Sequence, residues 1–264
     1  MLTSNRSLTA ATLLSAALIA TPAMAQEASD KNTPFSDAGA ETSPPGPVEV
    51  SGNVAVVSDY RFRGISFSGG DFALQGGIDV THESGFYVGT WGSTIDANAG
   101  IGELELDVYG GYSTSISEGV DIDVGLLYYL YPANDTATDT DYFEPYASIG
   151  TTLGPVGATF GVAYAWDGQN ALGNSDNLYL YTDFEAGIPT TPITLTAHLG
   201  YTDGVFSVDE DDTSWDYSVG ASATVLGGLA VGVSYVGVED GGVPNILKND
   251  FTEDALVFSL GYEF

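Results

Sequence analysis

From Val48 to the carboxyl end, hydrophobic and polar positions alternate with a period of two, in segments separated by glycine, proline and acidic turn residues. Val120, Ile122, Val124, Leu126, Tyr128 and Leu130 share one face of such a segment; Asp121, Asp123, Gly125 and Tyr129 share the other. Leu104, Leu106 and Val108 oppose Glu103, Glu105 and Asp107 in the same way, and Leu195, Ala197 and Leu199 oppose Thr194, Thr196 and His198. Neighbouring side chains of a strand point to opposite faces, so each segment predicts a strand with one apolar and one polar side. Segments of about ten residues cross a bilayer when tilted, and a bilayer accepts strands only where every backbone group is paired within a closed barrel.

The predicted strands of the first half are Val48 to Phe62, Phe72 to Glu83, Phe86 to Thr94, Glu103 to Ser113, Val120 to Tyr131 and Tyr142 to Leu153. Those of the second half are Val156 to Asp167, Leu178 to Ile188, Ile193 to Thr202, Trp215 to Val225, Leu229 to Val238 and Ala255 to Phe264. Connections alternate between short ones, such as Ser84 with Gly85 and Gly154 with Pro155, and longer ones, such as Gly64 to Asp71, Pro132 to Asp141, Asp203 to Ser214 and Glu239 to Asp254. That asymmetry is the one expected of outer-membrane barrels, whose long loops face outward. The expected fold class is all-β: a closed transmembrane antiparallel β-barrel of about twelve strands with both termini periplasmic.

The start of the chain reads differently. Arg6, an apolar run from Leu8 to Ala20 and a closing Ala23, Met24, Ala25 predict a cleaved signal peptide over residues 1–25. The run is short, rich in alanine and threonine and broken by Pro22, which disfavours a spanning helix. Residues 26–47 lose all periodicity and carry Pro34, Pro44, Pro45 and Pro47, so they predict a flexible periplasmic leader ahead of the barrel domain, residues 48–264. At the other end, Leu256, Phe258, Leu260, Tyr262 and Phe264 occupy alternate positions. This pattern resembles the signal read by the barrel-assembly machinery, with Phe264 and Tyr262 as the recognised residues, and it separates a barrel in outer-membrane lipid from a soluble sandwich.

Charge narrows the choice of partners. The chain has 36 acidic residues against 5 lysines and arginines, a formal charge of −31. Such a surface argues against nucleic acid or anionic lipid headgroups as partners and favours small cations. There is no cysteine, so neither disulfides nor a thiolate metal site is available. The 34 glycines and 16 tyrosines suit closely paired strands with aromatic flanks better than helices.

Ser58-Asp59-Tyr60-Arg61-Phe62-Arg63-Gly64-Ile65-Ser66, Gln75-Gly76-Gly77-Ile78-Asp79 and Gly85-Phe86-Tyr87-Val88-Gly89-Thr90-Trp91-Gly92 together resemble the TorF-type porin family. Glu105 to Tyr112 and Gly125 to Pro132 are similar to further segments of that family in the same order. The resemblance implies an exported proteobacterial envelope barrel in the outer membrane of a Gram-negative cell. It brings no settled substrate, no cofactor and no catalytic residues.

The candidate pore-lining residues are Asp59, Arg61, Arg63, Asp79, Glu103, Glu105, Asp107, Asp121, Asp123, Glu144, Asp183, Glu185 and Asp216. Carboxylates around a wet channel concentrate cations over about a Debye length, roughly 8 Å at physiological salt. The alternative is a closed lumen merely filled with polar side chains. Arg61 and Arg63, with Asp59, are placed on the inner face of the first strand, where they either set the field of a constriction or form a structural ion-pair cluster.

Tyr87, Tyr109, Tyr129, Tyr179 and Tyr181 also fall inward, whereas Tyr128, Tyr164, Tyr201, Tyr217 and Tyr262 suit the interfacial girdles. Of the two histidines, His82 and His198, only the latter has serines to pair with, Ser148 or Ser218, and no spacing supports catalysis. Acidic runs with Asp209, Glu210, Asp211 and Asp212, and with Asp135, Asp139 and Asp141, lack the pattern of an EF-hand loop. The expected function is passive diffusion of small hydrophilic solutes, preferentially cations. The alternative is a non-conducting envelope barrel that binds ions or a partner through its acidic loops.

Overall fold

The computed structural model describes residues 47–97, 101–132, 140–209, 211–225, 228–239 and 251–264. The predicted signal peptide and all of the leader before Pro47 lie outside them. Twelve strands close into one antiparallel barrel, each bonded to its neighbours in sequence order, with the first strand bonded to both the second and the last. They are β1 (Val48–Val57), β4 (Ala73–His82), β5 (Phe86–Thr94), β6 (Leu104–Ser117), β7 (Val120–Leu130) and β8 (Tyr142–Leu153), then β9 (Val156–Ala165), β10 (Asn177–Gly187), β11 (Ile193–Gly204), β12 (Thr213–Val225), β13 (Leu229–Val238) and β14 (Ala255–Glu263). Two further strands, β2 (Arg61–Phe62) and β3 (Ile65–Ser66), form a separate small hairpin.

The period-two pattern fixes which side of each strand meets the exterior. Val50, Leu74, Val88, Val108, Leu126, Phe160, Leu180, Leu195, Val219 and Phe258, drawn from ten different strands, are all exposed on the outer surface. Closure is completed by the β1–β14 ladder from Asn53 against Glu263 to Val57 against Ser259. One step beyond it Gly52 and Phe264 exchange backbone hydrogen bonds of 2.9 and 3.0 Å. Both ends of the barrel domain therefore sit at the rim that carries the short turns. A closed ladder leaves no unpaired edge, the condition for strands in lipid.

The inward faces carry glycines for a reason that alternation alone does not disclose. A side chain on Gly161 would occupy the space of the Tyr181 ring, one on Gly125 that of Tyr146, and one on Gly111 that of Tyr87. Each tyrosine occupies the slot left by a glycine on a neighbouring strand. We expect Gly161→Val to force Tyr181 off the wall and to cost about 1–3 kcal/mol, the usual range for overpacking. A lowered urea midpoint of the refolded barrel measures it, and an unchanged midpoint would count against the slot.

One predicted strand is corrected. The first strand was expected to run to Phe62; it ends at Val57, and the connection to β4 folds into the lumen at the long-loop end as the β2–β3 hairpin. Asp59, Arg61 and Arg63 thus belong to an inserted hairpin and not to the wall. The alternation of Asp59, Arg61 and Arg63 with Tyr60 and Phe62 is that of a strand, but of one that pairs with its own return. Arg63 and Gly64 both have positive φ, 49° and 79°, the requirement of a two-residue hairpin turn of type I′. The aromatic side chains drive the insertion: Tyr60 meets Phe67 at 5.6 Å and Trp91 at 5.5 Å between ring centroids, and Phe62 meets Tyr129 at 5.8 Å.

Candidate functional site

The hairpin crosses the lumen and is held at several points. Arg63 Nη2 donates to both carboxylate oxygens of Glu144 on β8, at 2.8 and 2.7 Å, and its guanidinium lies 4.1 Å over the Tyr179 ring of β10. Burial opposes the charge on Arg63, but Glu144 together with Tyr129, Tyr142 and Tyr179 more than offsets it, so the guanidinium holds its proton more tightly than usual. Arg61 pairs with Asp59 at 2.5 Å and donates through Nη1 to the carbonyls of Gly64 and, at 2.6 Å, Glu253. Asp59 also accepts from the hydroxyls of Ser66 and Ser68, which closes the base of the hairpin. Backbone bonds tie it to two long loops, from Ser66 N to Phe251 O and from Asp96 N to Phe67 O.

Beneath the hairpin lie carboxylates cut off from solvent. Glu105 and Asp107 on β6 are 0% exposed and Glu144 is 2% exposed. Tyr60 donates to Glu105 at 3.0 Å, and Tyr129 donates to Glu144 at 3.2 Å. Burial, followed by the nearby Glu105 and Asp107, pushes the Tyr60 phenol well above its ordinary value, so it remains a donor. Ile95, Leu127, Tyr131, Tyr142, Leu172, Val236 and Val257 complete an aromatic and aliphatic packing around the hairpin.

The half of the lumen nearer the short turns is different in kind. Asp79 and Asp183 are half-buried there, and Asp121 and Glu185 are exposed on the inner face. Asp123 is buried and accepts from Tyr87, whose phenol shares a 2.6 Å bond with Tyr146; Asp79 accepts from Tyr109. A network joins the two halves. Tyr179, under Arg63, bonds to Asp216 at 3.1 Å and to His198 Nε2 at 2.8 Å, and His198 Nδ1 lies 2.6 Å from Asp183.

The predicted lining residues therefore divide into groups. Asp59, Arg61, Arg63, Glu105, Asp107, Glu144 and Asp216 surround the hairpin or its network, whereas Asp79, Asp121, Asp123, Asp183 and Glu185 line the polar half. Glu103 is placed elsewhere: it precedes β6 at the long-loop rim and is exposed. Sequence reading missed Tyr60, Phe67 and Trp91, which anchor the hairpin. The available signal was the Arg63-Gly64 pair between Phe62 and Ile65, a short-hairpin turn directly after the predicted end of the first strand.

The inward and outward tyrosines fall as expected. His82 sits exposed beside Ser84, and His198 meets Asp183, Asp216 and Tyr179 through its two ring nitrogens, in place of Ser148 or Ser218. Among the described residues no group of three or more histidine, aspartate or glutamate side chains is arranged to hold a metal ion. Glu210, Asp135 and Asp139 lie outside the described residues.

This architecture is similar to that of known porins. The NanC porin in a rhombohedral crystal form aligns over 81% of this chain and 99% of its own at 10% identity, with a TM-score of 0.56. An outer-membrane channel from Pseudomonas putida aligns over 87% and 99% at 12% identity, with a TM-score of 0.45. At such identities a likeness is one of fold, and the NanC porin shares the closed barrel. No curated protein matches the chain by sequence. Residues 41–264, which include the whole barrel and its inserted hairpin, match a described bacterial family. The chain belongs to that family, Gcw_chp, bacterial proteins of unknown function.

Proposed function

We propose that this protein is a porin-like channel of a Gram-negative outer membrane, passing small hydrophilic solutes by passive diffusion with a preference for cations. The observation that carries this reading is the closed barrel with an apolar exterior and an inner wall rich in carboxylates. The likeness of its first strands to TorF-type porins supports the same reading. In this orientation the short-turn rim and both ends of the barrel are periplasmic, and the long loops face outward. Residues 1–25 direct export, and the barrel-assembly machinery reads Phe264 and Tyr262. The chemistry asked of the protein is selection by charge and size, with no catalytic step.

Cation preference follows from sign and number. Asp79, Asp121, Asp123, Asp183 and Glu185 line the polar half, and both arginines of the barrel domain are already engaged, Arg61 with Asp59 and Arg63 with Glu144. Refolded protein in a planar bilayer under a KCl gradient is expected to show a reversal potential displaced toward K⁺, and the displacement should shrink as salt rises and screening increases. A pore selective for Cl⁻, or indifferent to charge, would refute the acidic-lumen account.

The hairpin favours a second reading, because it and its aromatic packing fill the long-loop half of the lumen. A barrel permanently closed in this way would bind ions or a partner through its acidic loops. Complete electrical silence under all conditions would select that reading over the channel.

A further inference from the structure

Three buried carboxylates face one buried guanidinium. Arg63 neutralises Glu144 through its two hydrogen bonds, which leaves Glu105 and Asp107 with no counter-ion among the described residues. Both oxygens of Asp107 and Oε2 of Glu105 are buried without a hydrogen-bond partner. The groups around them are Tyr60 and Arg63 from the hairpin, Tyr109 from β6, Tyr129 from β7 and Tyr131 just after it, and Tyr142 and Glu144 from β8. Apart from Arg63, already paired, none of these supplies positive charge. An isolated carboxylate out of water is so costly that such a group is neutralised instead.

We propose that the hairpin from Asp59 to Ser68 is a proton-controlled gate, closed while Glu105 and Asp107 carry protons and opened by hydration of the two carboxylates when they lose them. The role in permeation rests on the channel reading; the coupling of protons to hairpin position does not. The sign follows from linkage. The closed form binds two protons that the open, hydrated form releases, so closure is stable at low pH and is lost as pH rises, by up to about a hundredfold in the closed-to-open ratio per pH unit. Opening need not disturb the barrel, since every wall ladder is formed without residues 59–68.

A thiol probe tests the gate without recording current. Ser234 on β13 is buried, its hydroxyl has no partner, and it lies two residues from Val236 of the hairpin packing. The chain has no cysteine, so Ser234→Cys gives a single reporter at no loss of a hydrogen bond. Its modification by a water-soluble methanethiosulfonate is compared, at the same alkaline pH, between the otherwise native barrel and one also carrying Glu105→Gln and Asp107→Asn, which mimic the protonated groups. We expect labelling at least about tenfold slower in the doubly neutral barrel, as two released protons require. Equal rates would overturn the gate even if the protein conducts. A rate that differs as expected in a protein that passes no current would keep the gate and refute the channel. If the neutral variant fails to fold, the reporter alone is followed from acid to alkaline pH against the urea-unfolded chain. A rising normalised rate supports the gate, and a flat one overturns it.

Discussion

Replacing residues 60–67 by a short glycine-serine link is expected to raise single-channel conductance several-fold. The hairpin brings Tyr60, Phe62, Arg63 and Phe67 into the lumen, and its removal deletes contacts that join β8, β10 and the long loops across the axis. The wall should survive, because β1 pairs with β14 and β4 through residues 48–57. Glu105, Asp107 and Glu144 would then face water and add to the cation-attracting charge. Heat-modifiable migration confirms that the edited barrel is folded, and bilayer recording reads the result. An unchanged conductance in a folded edited barrel would show that the hairpin is not the constriction.

Glu144→Ala should release the hairpin without unfolding the wall. Removing one partner of a buried ion pair leaves the other charge uncompensated and costs about 3–5 kcal/mol, which favours the inserted hairpin less by more than a hundredfold. Both members of the Arg63–Glu144 pair are almost wholly buried, so solvent screening does little to soften that penalty. An arginine-specific protease, which spares Lys248, provides a direct readout, since Arg61 and Arg63 are the arginines of the barrel domain and their side chains are buried in the inserted form. The variant is expected to be cut after these residues while the native barrel resists. Replacing both Arg63 and Glu144 with methionine should restore much of the resistance, because an apolar pair of similar volume avoids the desolvation cost. Equal resistance of Glu144→Ala and the native protein would deny the pair its role as the latch.

The sequence by itself determined the wall of this protein. Period-two alternation leaves one face of each strand apolar, and with short and long connections in turn only a closed antiparallel barrel satisfies every backbone group, so β5, β8 and β13 begin and end where the pattern places them. The same alternation sent Glu105, Asp107, Glu144 and Asp216 inward, because a side chain's face depends only on its parity along the strand. What parity cannot supply is height, curvature or the position of a segment that leaves the sheet. Residues up to Phe62 have the pattern of a wall strand, and only the tertiary structure decided that the chain leaves the wall after Val57 and turns at Arg63 and Gly64 to lie across the lumen, where Trp91, Tyr129 and Tyr179 from three distant strands receive it. The tertiary structure alone also brought Arg63 to Glu144, 81 residues away, and left Glu105 and Asp107 without charge partners among the described residues. The physical reason is that burial and pairing are set by which strands face one another across the axis of a closed barrel, and no local periodicity carries that information.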